Sequence, residues 1–226
     1  MEKVEEAFKL FRDEVSTATW AFYVWKHVNV IGSSDYTVRQ ALNLNAATWN
    51  VITHSLQTTF FITIGRIFDI NGDAFSVHAL LRFCIDNIEQ FDARHIRDRK
   101  VADQNGFEPN WLDGYIEKAY EAKEEDFQRL KGEVAKHQKR YEEIYRPIRN
   151  KVMAHKEIAS LSNVTEIFGR TNIAEIQGFL SLFGQIESVV FDLMYNGKLR
   201  EIGDYELNEE QVMEKDTVSL LDRIKA

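Results

Sequence analysis

Residues that force turns are scarce in this chain, with two prolines and 11 glycines among 226 residues. That scarcity argues against a β-sandwich, whose many connections need turn-formers, and against a Pro/Gly-rich disordered chain. The lone cysteine, Cys84, rules out an internal disulfide, a CxxC pair and a Cys/His zinc cluster, which fits a reducing compartment and points to the cytoplasm. No GxGxxG, P-loop, GxSxG, HExxH or EF-hand pattern occurs, so the usual warrants for dinucleotide, nucleotide triphosphate, esterase, zincin or calcium chemistry are missing. The six histidines never fall three or four residues apart, so no helical His pair for a metal is encoded, and neither metal nor cofactor is expected.

Long apolar runs are missing too. The acidic, amphipathic start lacks the basic and apolar regions of a signal peptide, so no export is expected. Between Gln40 and Gly65 there is no charged residue apart from a neutral histidine, yet 12 of these 26 positions are Asn, Gln, Ser, Thr or His. This composition predicts a buried helix and no membrane span.

Positive charge is in deficit overall. With 28 Lys and Arg against 36 Asp and Glu, the net charge of −8 disfavours a general nucleic-acid coating protein. The average hides a reversal: residues 129–156 hold nine Lys/Arg against three Glu, a net of +6, and Arg94, Arg97, Arg99 and Lys100 form a second basic stretch. Residues 201–226 carry eight acids against three bases. Such runs are read either as solvated helix faces or as binding surfaces.

What is abundant is apolar residues at helical spacing, 44% hydrophobic overall. Val4, Ala7, Phe8, Phe11, Val15, Ala18, Phe22, Trp25 and Val28 form one stripe, predicting a helix over 2–29 that ends at Gly32–Asp35. Ser34 or Asp35 is placed to cap a second helix reaching Asp69, with an irregularity near Asn43 and Asn45. Ser76 is placed to cap a helix over 77–91, and Asp92 to Lys100 reads as a short helix or its continuation. Residues 111–154, with Asn110 as cap, read as one or two long helices broken near Lys123 and perturbed at Pro147. Further helices follow from Thr171 or Asn172 to Asn196 and within 209–225. With no linker, repeat or alternating β run, the expectation is an all-α bundle of about five or six helices, divided into a domain over 1–200 and an acidic extension over 201–226. Trp20, Trp25, Trp49 and Trp111, spaced helically among apolar neighbours, read as core residues more readily than as base-stacking platforms, and Cys84 as a small core residue.

One segment invites a chemical reading: Arg146-Pro147-Ile148-Arg149-Asn150-Lys151-Val152-Met153-Ala154-His155. Arg149 and His155, five residues intervening, resemble the RxxxxxH signature of the HEPN superfamily, an all-helical group in which that pair, often with a polar residue after the arginine, forms a ribonuclease site. The run Arg149 to His155 is similar to the abortive-infection U-like (AbiU-type) branch, as are Gly65-Arg66-Ile67-Phe68-Asp69 and the following Ser76 to Leu81. The resemblance spans residues 1–200. It implies a HEPN-like bundle, a twofold dimer, an RNA substrate, and a role as a toxin or phage-defence effector. An antitoxin or nucleotidyltransferase partner is a further possibility that belongs with such a role.

The chemistry is arguable from the residues themselves. Metal-free RNA cleavage needs a base for the 2′-hydroxyl, an acid for the leaving 5′-oxygen, and positive charge on the phosphorane-like transition state. His155 exchanges protons near neutrality, and Arg149 offers a charged planar fork. Asn150 is a candidate to orient phosphate or hold His155, while Lys151 and Arg146 add positive potential. In a regular α-helix six residues rotate by about 240° and rise about 9 Å, so a kink, a helix end after Ala154 or a second subunit has to bring Arg149 and His155 together. The competing reading is that these bases merely face the negative end of a helix dipole. Arg66 and Asp69 are either an ordinary i,i+3 ion pair or second-helix support for the site. Asn50 and His54 are candidates to line the same cleft, with a core histidine the simpler role for His54. The alternative function is a non-catalytic HEPN-like module binding RNA or protein in the same basic cleft.

Overall fold

Apolar stripes of this period have to be buried against one another, and the computed structural model shows how. It describes residues 2–70, 75–154 and 168–225, and among them every regular element is helical. Helix α1 (Glu2–Ser34) is followed by α2 (Tyr36–Leu44), α3 (Ala46–Ile67), α4 (Val77–Asp86), α5 (Ala93–Asp103), α6 (Leu112–Ile116), α7 (Glu124–Arg140), α8 (Ile173–Phe191) and α9 (Glu209–Ile224). No helix among the described residues is long and apolar enough to cross a membrane.

Helix α1 is the organising element, lying against α3 most extensively and also against α4, α8 and α9. Its predicted stripe is buried from Val4 to Val28, with Trp25 half-buried. The helix runs five residues past its predicted end. Gly32 does not break it but gives room to Leu42 of α2, 3.0 Å from where a Cβ would stand. Asp35 then accepts from the amides of Thr37 and Val38 at 2.8 and 3.2 Å and starts α2. The expected single helix to Asp69 is two, because Asn45 leaves helical geometry at φ −124°, ψ 41°.

Ser76 caps α4 as predicted, but α4 stops at Asp86; a 3-10 turn (Ile88–Phe91) follows, and Asp92 caps a separate α5. Asn110 caps nothing. The amide of Leu112 instead folds back to the Pro109 carbonyl at 3.0 Å, and α6 lasts five residues. The stretch after it is pulled out of helix by Gly197, whose left-handed φ of 52° and missing side chain let Ala119 pack at 2.7 Å from the Cβ position while Tyr120 donates to its carbonyl at 2.7 Å. Asn172 caps α8 through the amide of Ala174.

Two burial expectations fail. The uncharged helix is buried only in its second half, where Phe60, Phe61, Ile64 and Ile67 meet α1; in its first half Val51 is 66% and Ile52 37% exposed, and Asn50 and His54 are exposed. The polar uncharged composition of the segment therefore did not signal burial. Trp20 and Trp111 are also about half exposed, and Trp49 is only half-buried. Trp20 lies two residues from both Ala18 and Phe22, some 200° of helix rotation, and so points away from the core that they enter.

Helix α9 carries much of the acidic C-terminal charge and lies on α1 and α2, with ion pairs from Glu210 to Lys26 and from Lys225 to Asp35. Glu214, Asp216 and Asp222 of this helix are exposed, and its strongest contacts do not involve the Arg149 segment.

Glu187 of α8 pairs with Arg12 of α1 at 3.3 Å, and burial pushes its carboxyl up to about 7 despite Arg12. A carboxyl raised in the folded state keeps its stabilising proton below the unfolded value and loses that contribution as pH rises through the folded one. Glu187→Gln is therefore expected to be about 1–3 kcal/mol more stable than the parent at pH 8 and equal to it near pH 4.5. Urea unfolding at the two pH values checks this.

Candidate functional site

The site is built where α7 runs into a proline. Pro147 lacks an amide hydrogen and its ring collides with the carbonyl four residues earlier in an α-helix. The helix responds by widening: Tyr141–Tyr145 is π-helical, Arg146–Ile148 forms one α-turn, and Arg149–Ala154 is π-helical again. The chain thus continues past the proline without ending. The rotation of 240° reckoned for a regular helix does not apply to the turn that carries Arg149, Asn150 and Lys151, because its hydrogen bonds span one residue more. His155 and Lys156 lie outside the described residues.

The wide turn lays Arg149 against the backbone of α3. Cδ and Nε of Arg149 and the hydroxyl of Tyr141 all lie 2.8 Å from where a Cβ on Gly65 would be, so glycine is the residue that permits this approach. Arg149 Nη1 donates to Asn150 Oδ1 at 3.3 Å. Arg149 Nε and the Tyr141 hydroxyl are buried without a hydrogen-bond partner among the described residues. Burial pushes the Tyr141 phenol up to about 12, with Arg149 and Arg146 pulling down and Asp69 and Glu142 pushing up, so it stays neutral across the working range of most proteins.

Gly65, Phe68, Asp69, Glu142, Arg146 and Arg149 line one tight cleft of about 10 Å³, too small for a ligand. Gln138 stiffens the floor, donating to the Phe68 carbonyl at 3.1 Å and to Glu142 at 2.9 Å while its own oxygen contacts His78 Nε2 at 3.0 Å. Phe68 stacks on Tyr141 with centroids 4.7 Å apart.

Of the sequence candidates, the structure brings together Arg149, Asn150, Arg146 and Asp69, with Lys151 on the same turn as Arg149. Arg66 is directed elsewhere. Its guanidinium reaches Glu14 on α1 at 2.8 Å and Thr63 at 3.2 Å, so the pair read as Arg66 with Asp69 is instead split between two faces. His54 is exposed, which removes the core reading of it.

Ion pairs take up part of each basic run, here the one at 94–100 first and the one at 129–156 second. In the first, Arg99 is buried on Glu5 and the carbonyls of Gln90 and Met194, and Arg97 pairs with Glu108 and Asp113. In the second, Arg129, Lys136 and Arg140 pair with Asp126, Glu133 and Glu175. Arg146 and Arg149 make no ion pair among the described residues, and they share their cleft with Asp69 and Glu142. Sequence reading missed Gly65 as a packing requirement and Tyr141 altogether; the only hint was Tyr141 lying eight residues before Arg149 on a helical face.

The family model described as AbiU2, of HEPN type, matches residues 1–213. No curated protein and no solved structure matches the chain.

The glycine contact is testable by contrast. A methyl at Gly65 meets three atoms at 2.8 Å, whereas at Gly132 of α7 and Gly178 of α8 it meets nothing within 4 Å. Gly65→Ala is expected to cost about 1–3 kcal/mol through overpacking, and Gly132→Ala or Gly178→Ala to gain about 0.5–1 kcal/mol through helix propensity, as read from unfolding midpoints.

Proposed function

The chain belongs to the AbiU2 family of HEPN domains, and from that premise we propose that it is a metal-independent endoribonuclease of the toxin or phage-defence kind. The observation that carries the reading is the seating of Arg149: a half-buried guanidinium held over Gly65 beside Asn150 and Arg146, in a chain of net charge −8. His155, four residues beyond Lys151, supplies the proton-transfer group. The 2′-hydroxyl attacks phosphorus as a base takes its proton, the P–O5′ bond breaks as an acid protonates the leaving oxygen, and a 2′,3′-cyclic phosphate and a 5′-hydroxyl result. Arg149 stabilises the charge that develops on the non-bridging oxygens, with Asn150, Lys151 and Arg146 holding the strand.

One site with one histidine lacks a second proton-transfer group, and a twofold dimer provides it. The face that suits this is the outward half of α3 with α2: Leu44 is 85% exposed, Tyr36 63% and Val51 66%, and no charge occurs from Gln40 to Gly65. An exposed helix without charge is unusual for a solvated surface and ordinary for a covered one. This face adjoins the Arg149 turn, since Thr58 of α3 contacts Met153 Sδ at 3.7 Å, so a second copy packed there sets two such turns in one cleft. Val51→Lys is expected to shift the protein from dimer to monomer in analytical ultracentrifugation without loss of helicity.

The net charge of −8 favours a second reading, a non-catalytic module that holds RNA or a partner protein at the same cleft. It calls for salt-sensitive binding without turnover. The deciding experiment is cleavage of a mixed RNA pool in EDTA by the parent, His155→Ala and Arg149→Ala forms, with end-group analysis. The parent is expected to leave cyclic phosphate ends, and each variant to lose about 100-fold or more in rate. Cleavage retained by His155→Ala rejects the assignment.

A further inference from the structure

Beneath Arg149 lies a residue that no motif marks. We infer that Tyr141 is the positioning residue for Arg149: its phenolic oxygen accepts the Nε–H of Arg149, fixing the plane of the guanidinium so that its outer nitrogens are left to meet phosphate. The catalytic consequence rests on the ribonuclease reading; the contact itself does not.

Three observations on separate atoms converge. The first is an accounting of partners: the Tyr141 hydroxyl and Arg149 Nε are both buried and neither has a hydrogen-bond partner among the described residues, although leaving either unpaired incurs its full desolvation cost. The second is place, since both atoms stand 2.8 Å from the same point above Gly65, and so within 5.6 Å of each other, one an acceptor and the other a donor. The third is immobility. Tyr141 is 3% exposed, its ring stacks on Phe68 at an interplanar angle of 23° and meets Phe179 edge-on, so the hydroxyl has no alternative direction. With the ring held, the bond closes through the Arg149 side chain, whose torsions are the softer of the two. Arginine donates five N–H groups, and using Nε inward leaves the paired outer nitrogens for bidentate contact.

A tyrosine that served only as core would be replaceable by phenylalanine without effect on Arg149. The test uses the full chain with arginine labelled at 15Nε, the Arg149 resonance being identified by its loss in Arg149→Lys. In the parent, the Arg149 Nε–H is expected to exchange with solvent at least about tenfold more slowly than in Tyr141→Phe, which keeps the ring and its packing. Equal exchange in the two proteins overturns the inference. In RNA cleavage, Tyr141→Phe is expected to lower kcat about tenfold with KM within about twofold, and to add nothing in the Arg149→Lys background. Slowed exchange in the parent with kcat unaltered in Tyr141→Phe rejects the catalytic role while retaining the contact. A parent that cleaves no RNA rejects the ribonuclease reading, and exchange alone then decides the contact.

Discussion

Phe68 is the residue on which the arrangement of the candidate site depends. It ends α3, is 1% exposed, and touches Tyr141, Phe179 and Phe183 with ring centroids between 4.7 and 5.2 Å. Three elements that are far apart in sequence, α3, the π-turn after α7, and α8, therefore meet at one side chain. Its carbonyl is held as well, by Gln138. Buried aromatic contacts of this kind are individually modest, but each also removes a large apolar area from water, so the register of α3 against the Arg149 turn is fixed by packing. Gly65, one helical turn before Phe68, is thereby placed under Arg149.

Proline and glycine cooperate in that placement from different helices. Pro147 makes an ordinary α-helix untenable, and the widened turns on either side of it reorient every side chain that follows. Gly65 removes the one side chain that would keep the reoriented arginine away from α3. The result is a guanidinium with its stem and Nε packed inside and its outer nitrogens toward the surface, a preorganised cation in place of a mobile one. Such preorganisation is what lets a charged group stabilise a developing anion without reordering at the moment of reaction.

Charge is distributed to the same end. Six basic residues of the two runs, Arg97, Arg99, Arg129, Lys136, Lys139 and Arg140, are used in ion pairs, and Glu210 of the C-terminal helix pairs with Lys26. A partly buried pair such as Arg99 with Glu5 serves architecture, and surface pairs are worth little either way. Arg146 and Arg149 are among the bases left without an ion pair, in a cleft that they share with Asp69 and Glu142. A chain of net charge −8 can thus hold a positive spot without being attracted to every polyanion.

The all-helical class, the stripe of α1, the caps at Asp35, Ser76 and Asn172, and a perturbed helix at Pro147 carrying Arg149 and Asn150 were legible in the sequence because each depends on neighbours within a few residues. Periodicity and capping are local, and so is a basic word beside a proline. Tertiary packing decided the rest. Whether the uncharged first half of α3 was covered depended on what the fold placed against it, and whether Arg66 faced Asp69 or Glu14 depended on which helix lay alongside. Tyr141 carried no signal of its own, since its hydroxyl acquires meaning only from Gly65, 76 positions earlier in the chain, and from a π-turn that a regular helix would have rotated away. Side-chain periodicity states which face of a helix is apolar; it contains no information about what stands opposite, and the site is made of what stands opposite.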